Sequence, residues 1–495
     1  MDTDVIVVGA GPTGLMLAGE LRLGGARVIV TERLAEPTGQ SRGLGFTART
    51  MEIFDQRGLL PAFGPLEKSP IGHFGGVQFD YTVLEDCHFG ARGVPQSQTE
   101  ALLERWADDL GADIRRGWEL FEVADDNEGV WITANTPQGP QRLRAAYVVG
   151  CDGGQSAVRK AAGIDFPGTQ ATRRMYLADV VGCGLRPRFL GERMPNGMVM
   201  AAPLQEGVDR IIVCEHGTPA GDRAESPSFT EVADAWQRIT GESIHDGTAD
   251  WVSSFTDATR LASKYRHGRI LIAGDAAHVH LPAGGQGLSA GVQDAANLGW
   301  KLAAAVQGWA PSDLLDTYHS ERHPVGARLL SNTRAQGIVF LGGAEADPLR
   351  DLFTELIAND ENKRYLAGIV SGLDIRYDLS AGDHPLVGRR IPPRRLRGAT
   401  EETTTTALLH SGQGVLLDLA DDEELRAIAA GWKDRVVVTT ATPEQKDAFA
   451  GAVAVLVRPD GYVAWAKNHI DSHTSDIEGL AVSLRQWFGS PVAVN

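Results

Sequence analysis

The chain has 495 residues, 43% of them hydrophobic and 22% charged, which is the composition of an ordinary soluble globular protein too long for a single core. A formal net charge of -17 argues against a nucleic-acid partner, and no apolar run reaches the length of a membrane span or follows a basic leader. The cysteines Cys87, Cys151, Cys183 and Cys214 are scattered without a CxxC pair, which argues against a metal site or disulfide framework and fits a reducing cytoplasm.

The first informative stretch runs from Asp4 to Arg33. Val5 to Val8 predict a buried strand, Gly9-Ala10-Gly11-Pro12-Thr13-Gly14 a glycine turn, and Leu15, Leu17, Ala18 and Leu21 a helix. Val28, Ile29 and Val30 then predict a second strand ending at Glu32. This order suits a dinucleotide. Gly9 permits a tight turn, Gly11 lets a phosphate approach the backbone, and Gly14 lets the helix lie close to the sheet. The helix N-terminus offers free N–H groups and a partial positive charge to a pyrophosphate. Glu32, eighteen residues after Gly14, can accept hydrogen bonds from ribose hydroxyls. Alone, the motif does not separate FAD from NAD.

A loop over residues 37–45 carries Arg42, readable as a solvated charge or as a flavin or phosphate contact. A helix is predicted from Thr47 to Gln56, then aromatic-rich strands and turns between Ile71 and Gly93, outside the first domain. A helix opens after Pro95, with Leu102, Leu103, Trp106 and Leu110 on one face, and a hairpin follows through 130–133 and 143–149. The second informative stretch is Tyr147 to Ser156, a buried strand running into Asp152-Gly153-Gly154 and a short helix; its plainer reading is an N-capping aspartate. Residues 176–251 read as a second, sheet-based lobe with a helix near 229–239 and no cluster suited to hydrolysis.

The third stretch begins with a strand at Arg269–Ala273, then Gly274-Asp275-Ala276-Ala277-His278 and Leu281-Pro282-Ala283-Gly284-Gly285-Gln286-Gly287, opening a long helix. A glycine-rich loop before a helix suits negative charge, either a phosphate or the N1–C2=O edge of a reduced isoalloxazine. His278 reads as an oriented structural histidine more readily than as a base. Helical sequence continues to about Leu373. The basic, proline-bearing stretch Arg389 to Arg397 reads as a linker or a strap on the acidic body. Strands at 414–419, 436–439, 452–457 and 462–465, with a helix between the first two, predict a small α/β domain of roughly a hundred residues.

Taken together, Gly9-Gly11-Gly14, Asp152-Gly153 and Gly274-Asp275 occur in an order and spacing that resemble flavoprotein hydroxylases of the para-hydroxybenzoate hydroxylase type, which selects FAD over NAD. Arg42 to Thr50, Gly72 to Gly76 and Arg458 to Trp465 are similar to aromatic polyketide hydroxylases, above all the angucycline hydroxylases of antibiotic-producing actinobacteria. The resemblance covers essentially the whole chain. It implies a Rossmann-like FAD-binding domain (1–76, 98–178 and 266–384) with an inserted α+β substrate domain, a sheet covered by helices (77–97 and 179–265). A C-terminal thioredoxin-like α/β domain (385–495) completes it. That last domain has no cysteine, so it cannot perform thiol redox chemistry; packing or homo-oligomerisation remains for it.

The resemblance also assigns roles. Glu32, with its neighbour Arg33, would bind the adenosine ribose, and Arg42 and Gln96 would contact FAD. Asp152 and Gly153 would lie where FAD and NADPH approach. Asp275 would hold the diphosphate–ribityl region, and Pro282, Gly284, Gly285, Gln286, Gly287 and Leu288 would lie beside the isoalloxazine. Ser289 departs from the asparagine of many relatives. The implied activity is hydroxylation of an aromatic polyketide in antibiotic biosynthesis through a C4a-hydroperoxyflavin, with bound FAD, transient NADPH and O2 as co-substrate. No protein nucleophile and no metal are required. His73, Phe74, Phe79, Tyr81 and Met200 are candidates for the substrate wall, each of which could equally be core. Rival readings are Baeyer–Villiger oxidation, inactivation of a finished antibiotic, or a flavin-binding protein without catalysis.

Overall fold

The computed structural model describes every residue except 86, 127, 221–225, 380–381, 399–401, 446, 469–472 and 493–495, and of 473–477 the backbone alone. The buried β-branched run Thr3–Val8 is the middle of a largely parallel sheet with strand order Arg266–His267, Ile270–Ile272, Gly139–Gly150, Thr3–Val8, Val28–Glu32, Asp113–Arg116. Val8 lies opposite Gly150 on one side and Thr31 on the other, and Gly150 opposite Ile272. The strands therefore end level, and the chain leaves Thr3–Val8 first to one side and later returns on the other. Such a switch point opens a crevice at the carboxyl ends of the strands. Helices Pro12–Leu23, Gln96–Asp109 and Gln286–Val306 share this sheet's apolar core.

A second, antiparallel sheet has the order Arg188–Met194, Gly197–Gln205, Val208–Glu215, Arg174–Val181, Thr248–Thr256. Its strands alternate. Ala178, Val180, Val199, Ala201, Ile211 and Val213 pack against Trp236 of the Phe229–Thr240 helix, which begins at a Ser228–Glu231 capping box. Met175, Met198, Met200, Cys214 and Phe255 face the opposite way, against Leu281, Phe340 and Leu341. Among the described residues, the 77–97 segment adds no strand to this sheet. Gly90–Arg92 pairs with Gly45–Phe46 and Glu67–Ser69, and the Ile71–Phe74/Val77–Asp80 hairpin packs under helices Asp347–Ala358 and Asp360–Ser371.

The C-terminal unit has a four-stranded sheet ordered Val436–Thr440, Gly414–Asp418, Ala452–Val457, Val463–Asn468, parallel in the first pair and antiparallel in the others, with helices Glu423–Ala429 and His473–Phe488. That is a thioredoxin-like arrangement. The stretch leading to it is a strap and no free tether: Ile375, Tyr377, Val387, Ile391 and Leu396 are buried in one cluster with Val415, Leu416 and Trp487, and Arg390 pairs with Glu52. Trp300 and Ala304 of the Gln286–Val306 helix belong to the same cluster, so the core is continuous across the seam. Among the described residues, no helix is long and apolar enough to cross a membrane.

A buried cluster of charge lies at that seam. Arg458 clamps Glu321 with both nitrogens, Nη1–Oε1 at 2.6 Å and Nη2–Oε2 at 2.8 Å, and also pairs with Asp460. Lys301 Nζ reaches Glu321 at 2.8 Å, and Asn297 Nδ2 donates to Asp460 at 3.1 Å. Arg57 pairs with Glu20 at 2.6 Å while donating to the carbonyls of Leu409 and Pro459. Burial alone would raise the Glu321 carboxyl, but Arg458 and Lys301 outweigh it and hold it at about 2. Removing one partner of such a cluster strands a charge in the interior. Arg458→Met is therefore expected to lower the unfolding free energy by about 3–5 kcal/mol, measured by urea denaturation. Glu321 has its folded value below the 4.5 of the free group, so its contribution is complete above pH 4.5 and is lost as pH falls toward about 2. Stability should fall across that window in the wild type and more gently in Glu321→Gln.

Candidate active site

Three turns, each following a parallel strand, meet at the carboxyl edge of the first sheet. Gly9 has φ +108, and a Cβ there would lie 2.5 Å from the Cys151 carbonyl oxygen; a Cβ on Gly14 would lie 2.0 Å from the Gly9 oxygen. These two glycines let backbones touch. Gly11 differs, since its Cβ would meet nothing within 4 Å. The Pro12–Leu23 helix starts there with no side-chain cap, so free N–H groups face an open cradle. The third motif is locked to the first, because a Cβ on Gly274 would come within 2.7 Å of Thr13 Oγ1. Asp275 is exposed between the buried Gly274 and Ala276.

Glu32 is oriented at the end of its strand, Oε2 accepting from Ala10 N at 2.9 Å and Oε1 from Leu34 N at 3.0 Å. Arg33 and Arg42 are exposed. Gln96 Oε1 faces Gly43 N at 3.4 Å, while its Nε2 donates to Glu100 at 2.7 Å. Asp152 Oδ2 accepts from Ala157 N at 2.6 Å and Val158 N at 3.2 Å, so it does stabilise a helix start; its Oδ1 is buried without a hydrogen-bond partner among the described residues, and Gly153 borders open space. An open glycine cradle, uncapped amides and an orphaned carboxylate oxygen along one edge fit an extended dinucleotide.

Beyond Asp275 the chain forms the loop that opens the Gln286–Val306 helix. Pro282 and Gly285 are exposed, Leu281 is buried, and Gln286 turns its side chain inward. Gly287 and Leu288 are half-buried, and Leu288 Cδ1 lies 3.7 Å from the Cβ position of Gly43, which brings the Arg42 loop against this helix start. The helix has no side-chain cap. Ser289 is buried, and its Oγ accepts from Thr47 N at 3.1 Å, so it ties down the end of the Arg42 loop. His278 is fixed by Asp294, Nε2–Oδ2 at 2.7 Å, and Asp294 also takes Arg322 Nε at 2.7 Å and Gly274 N at 3.1 Å. Burial would raise the Asp294 carboxyl, but Arg322 and His278 hold it below its ordinary value. This histidine orients the Gly274–Asp275 turn.

The face of the five-stranded sheet bearing Met175, Met198, Met200 and Phe255 meets Leu281 and Ala283 of the loop. His73 approaches the same wall, its ring centroid 6.2 Å from that of Phe340, with Nδ1 accepting from Gly76 N at 3.3 Å. Burial, reinforced by Arg92, pushes its imidazole down to about 4, so it is neutral near pH 7. Phe74, Phe79 and Tyr81 are placed elsewhere, buried in a cluster with Val339, Ile357, Leu366 and Val370. Residues not singled out from sequence complete the wall. Arg210 pairs with Asp179 through two bonds of 2.7 Å, lies 5.4 Å from the Trp251 ring and donates to the Ser41 carbonyl, next to Arg42. Strand alternation puts Asp179 and Arg210 on this face, but only the register Asp179↔Arg210 makes them a pair.

Comparison with known proteins agrees with this geometry. The FAD binding domain family matches residues 2–333, and the aromatic-ring hydroxylase C-terminal family matches residues 384–491. The solved structure of CabE, an aromatic hydroxylase from angucycline biosynthesis, is similar with a TM-score of 0.94 at 58% identity, covering 99% of this chain and 100% of that one. A 12-dehydrotetracycline 5-monooxygenase/anhydrotetracycline 6-monooxygenase of Streptomyces rimosus is 44% identical over 99% of this chain and 100% of its own. A rifampicin monooxygenase of Streptomyces venezuelae is 43% identical over 99% of both. With FAD-family turns at one sheet edge and relatives matched end to end, the chain belongs to the FAD-dependent aromatic-ring hydroxylases, a family of flavoprotein monooxygenases.

Proposed function

We propose that this enzyme hydroxylates an aromatic polyketide of the angucycline type in antibiotic biosynthesis, with FAD bound and NADPH and O2 as co-substrates. The observation that carries the reading is the apolar sheet face meeting the glycine loop, in a chain 58% identical to an angucycline-pathway hydroxylase. FAD, when bound and reduced by the nicotinamide, supplies O2 activation and transfer of one oxygen atom to an electron-rich ring. The protein supplies binding, orientation and dryness. The amides behind Gly11 and the exposed Asp275 serve the diphosphate and ribityl region, and Glu32 with Arg33 the adenosine ribose. Arg42 and Gln96 would contact the FAD, the segment from Pro282 to Leu288 would lie beside its ring system, and Asp152-Gly153 would border the approach of the nicotinamide.

The wall of Met175, Met198, Met200 and Phe255 suits a flat fused-ring substrate and keeps out water, which would divert oxygen into H2O2. His73 is the polar group along it. The arrangement of Phe74, Phe79 and Tyr81 supports a role in packing the hairpin that carries His73. Four free thiols and the acidic surface support a cytoplasmic setting without nucleic acid. The likeness to the rifampicin monooxygenase favours a second reading, oxygen addition to a finished antibiotic.

Two experiments test the reading. Gly11→Val places its Cβ more than 4 Å from any atom of the described residues, so the variant should fold with wild-type circular dichroism yet purify without flavin. Gly14→Ala should instead destabilise the fold, its Cβ being driven into the Gly9 carbonyl. Incubation with NADPH, O2 and angucyclinone precursors should give a product heavier by one oxygen atom, with NMR separating ring hydroxylation from insertion into a ring. NADPH consumption that yields only H2O2 with every tetracyclic aromatic offered would overturn it.

A further inference from the structure

The loop beside the proposed flavin ring has almost no side chains of its own with which to hold its shape. Gly284 and Gly285 are consecutive left-handed residues, at φ +68 and +66, and Gly285 is exposed. Its lateral support comes from a chain of amides. Gly75 N donates to Gln336 Oε1 at 3.3 Å, Gln336 Nε2 to Asn332 Oδ1 at 3.0 Å, Asn332 Nδ2 to Gln286 Oε1 at 3.1 Å, and Gln286 Nε2 to the Ala283 carbonyl at 3.1 Å. All three side chains are buried.

Every bond runs in one direction, so each amide polarises the next, and both ends terminate on loop backbone. The first end is the tip of the hairpin bearing His73, itself pressed onto the Asp316–Leu341 helix: a Cβ on Gly75 would lie 2.8 Å from Val339 Cβ. The other end is the glycine loop, and a Cβ on Gly284 would lie 3.2 Å from Gln286 Nε2 and 3.7 Å from Gln336 Oε1. Asn332 and Gln336 stand one turn apart on that helix, which makes it the ruler between loop and hairpin.

We propose that Asn332 and Gln336 are positioning residues which, through Gln286, set the distance between the Pro282–Gly287 loop and the His73 hairpin and so govern how completely oxygen reaches the substrate. The inference rests on the proposed function for its consequence. In coupled turnover NADPH, H+, O2 and the aromatic C–H give NADP+, the phenol and water; in uncoupled turnover NADPH, H+ and O2 give NADP+ and H2O2. A loop free to drift lets the second outcome compete, because the reacting atoms are no longer held in register.

The test compares full-length holoenzymes. Asn332→Leu, close in size, leaves Gln286 Oε1 and Gln336 Nε2 unpaired in the interior. FAD should remain bound, hydrogen exchange at the amides of residues 283–287 should rise about tenfold, and product per NADPH should fall severalfold, with H2O2 making up the difference. Asn332→Asp adds a signature that loss of packing would not produce: once protonated, the new carboxyl can donate to Gln286 while accepting from Gln336, so coupling should recover as pH is lowered. If Asn332→Leu fails to fold, Gln336→Met breaks the relay one step farther from the loop and is read by the same measurements. Unchanged loop exchange with unchanged coupling, or a pH profile for Asn332→Asp matching the wild type, overturns the proposal. Wild-type enzyme that oxygenates no aromatic sinks the functional reading instead, and the exchange comparison still decides whether the relay holds the loop.

Discussion

A buried carboxylate, Glu321 between Arg458 and Lys301, is the interaction on which the arrangement of the parts depends. Two buried cations on one acid are favourable only with close, directed contacts, so the cluster tolerates little displacement. Glu321 lies near the start of the Asp316–Leu341 helix, whose 26 residues span about 39 Å. One residue on, Arg322 reaches Asp294 and through it the Gly274–Asp275 turn. Farther along, Asn332 and Gln336 touch the glycine loop and the hairpin. At the far end Phe340 and Leu341 pack on the substrate-side sheet, and Arg193 of that sheet takes the carbonyls of Gly342 and Gly343 at 2.7 and 2.8 Å. One helix, fixed at its root by charge, thus aligns the C-terminal unit, the glycine-turn edge and the apolar face proposed as the substrate wall.

Much of this was legible in the sequence wherever the information is local. Val5–Val8 before Gly9, the short apolar runs at 198–202 and 210–214, and the strand pattern after Gly414 each state their own structure, because periodicity and turn chemistry act over a few residues. The resemblance of three spaced turns carried the cofactor assignment. What could not be read was pairing across distance. Arg458 and Glu321 are 137 residues apart, and each looks like a solvated charge in its own neighbourhood. Asn332 and Gln336 look like the polar face of a surface helix, because a one-dimensional pattern does not say that the helix turns these two inward and leaves Arg328, Ser331, Arg334 and Ile338 to solvent. The arginine-rich stretch 389–397 reads as a linker or a surface strap because its charges dominate, and the sequence does not show that Ile391 and Leu396 anchor the strap in the core. In the hairpin, alternation separates His73 from Phe74, but only the fold shows that one looks toward the sheet wall and the other into a local core.

The site is consistent with chemistry that belongs to a cofactor. Around the cradle the protein offers backbone amides, space and a few oriented acids; along the apolar sheet face proposed for the substrate it offers thioethers and aromatic carbon. The buried polar groups nearby, His278 with Asp294 and Arg210 with Asp179, are engaged in holding loops in place. Catalytic power in such a design comes from shape and from excluding water, and the demanding task is to keep flexible glycine turns where they are needed.

The core that crosses the seam has an evolutionary corollary. The chain reads as modules, yet Trp300 and Ala304 of the first part share one apolar cluster with Leu416 and Trp487 of the last, and Arg57 donates to the carbonyls of Leu409 and Pro459. A crossover between relatives at the strap would have to bring along Glu20, Arg57, Lys301, Glu321, Arg458 and Asp460 as a matched set. A small domain without thiol chemistry would persist under that condition because it has become part of the interior of its neighbour, and recombination can no longer remove it.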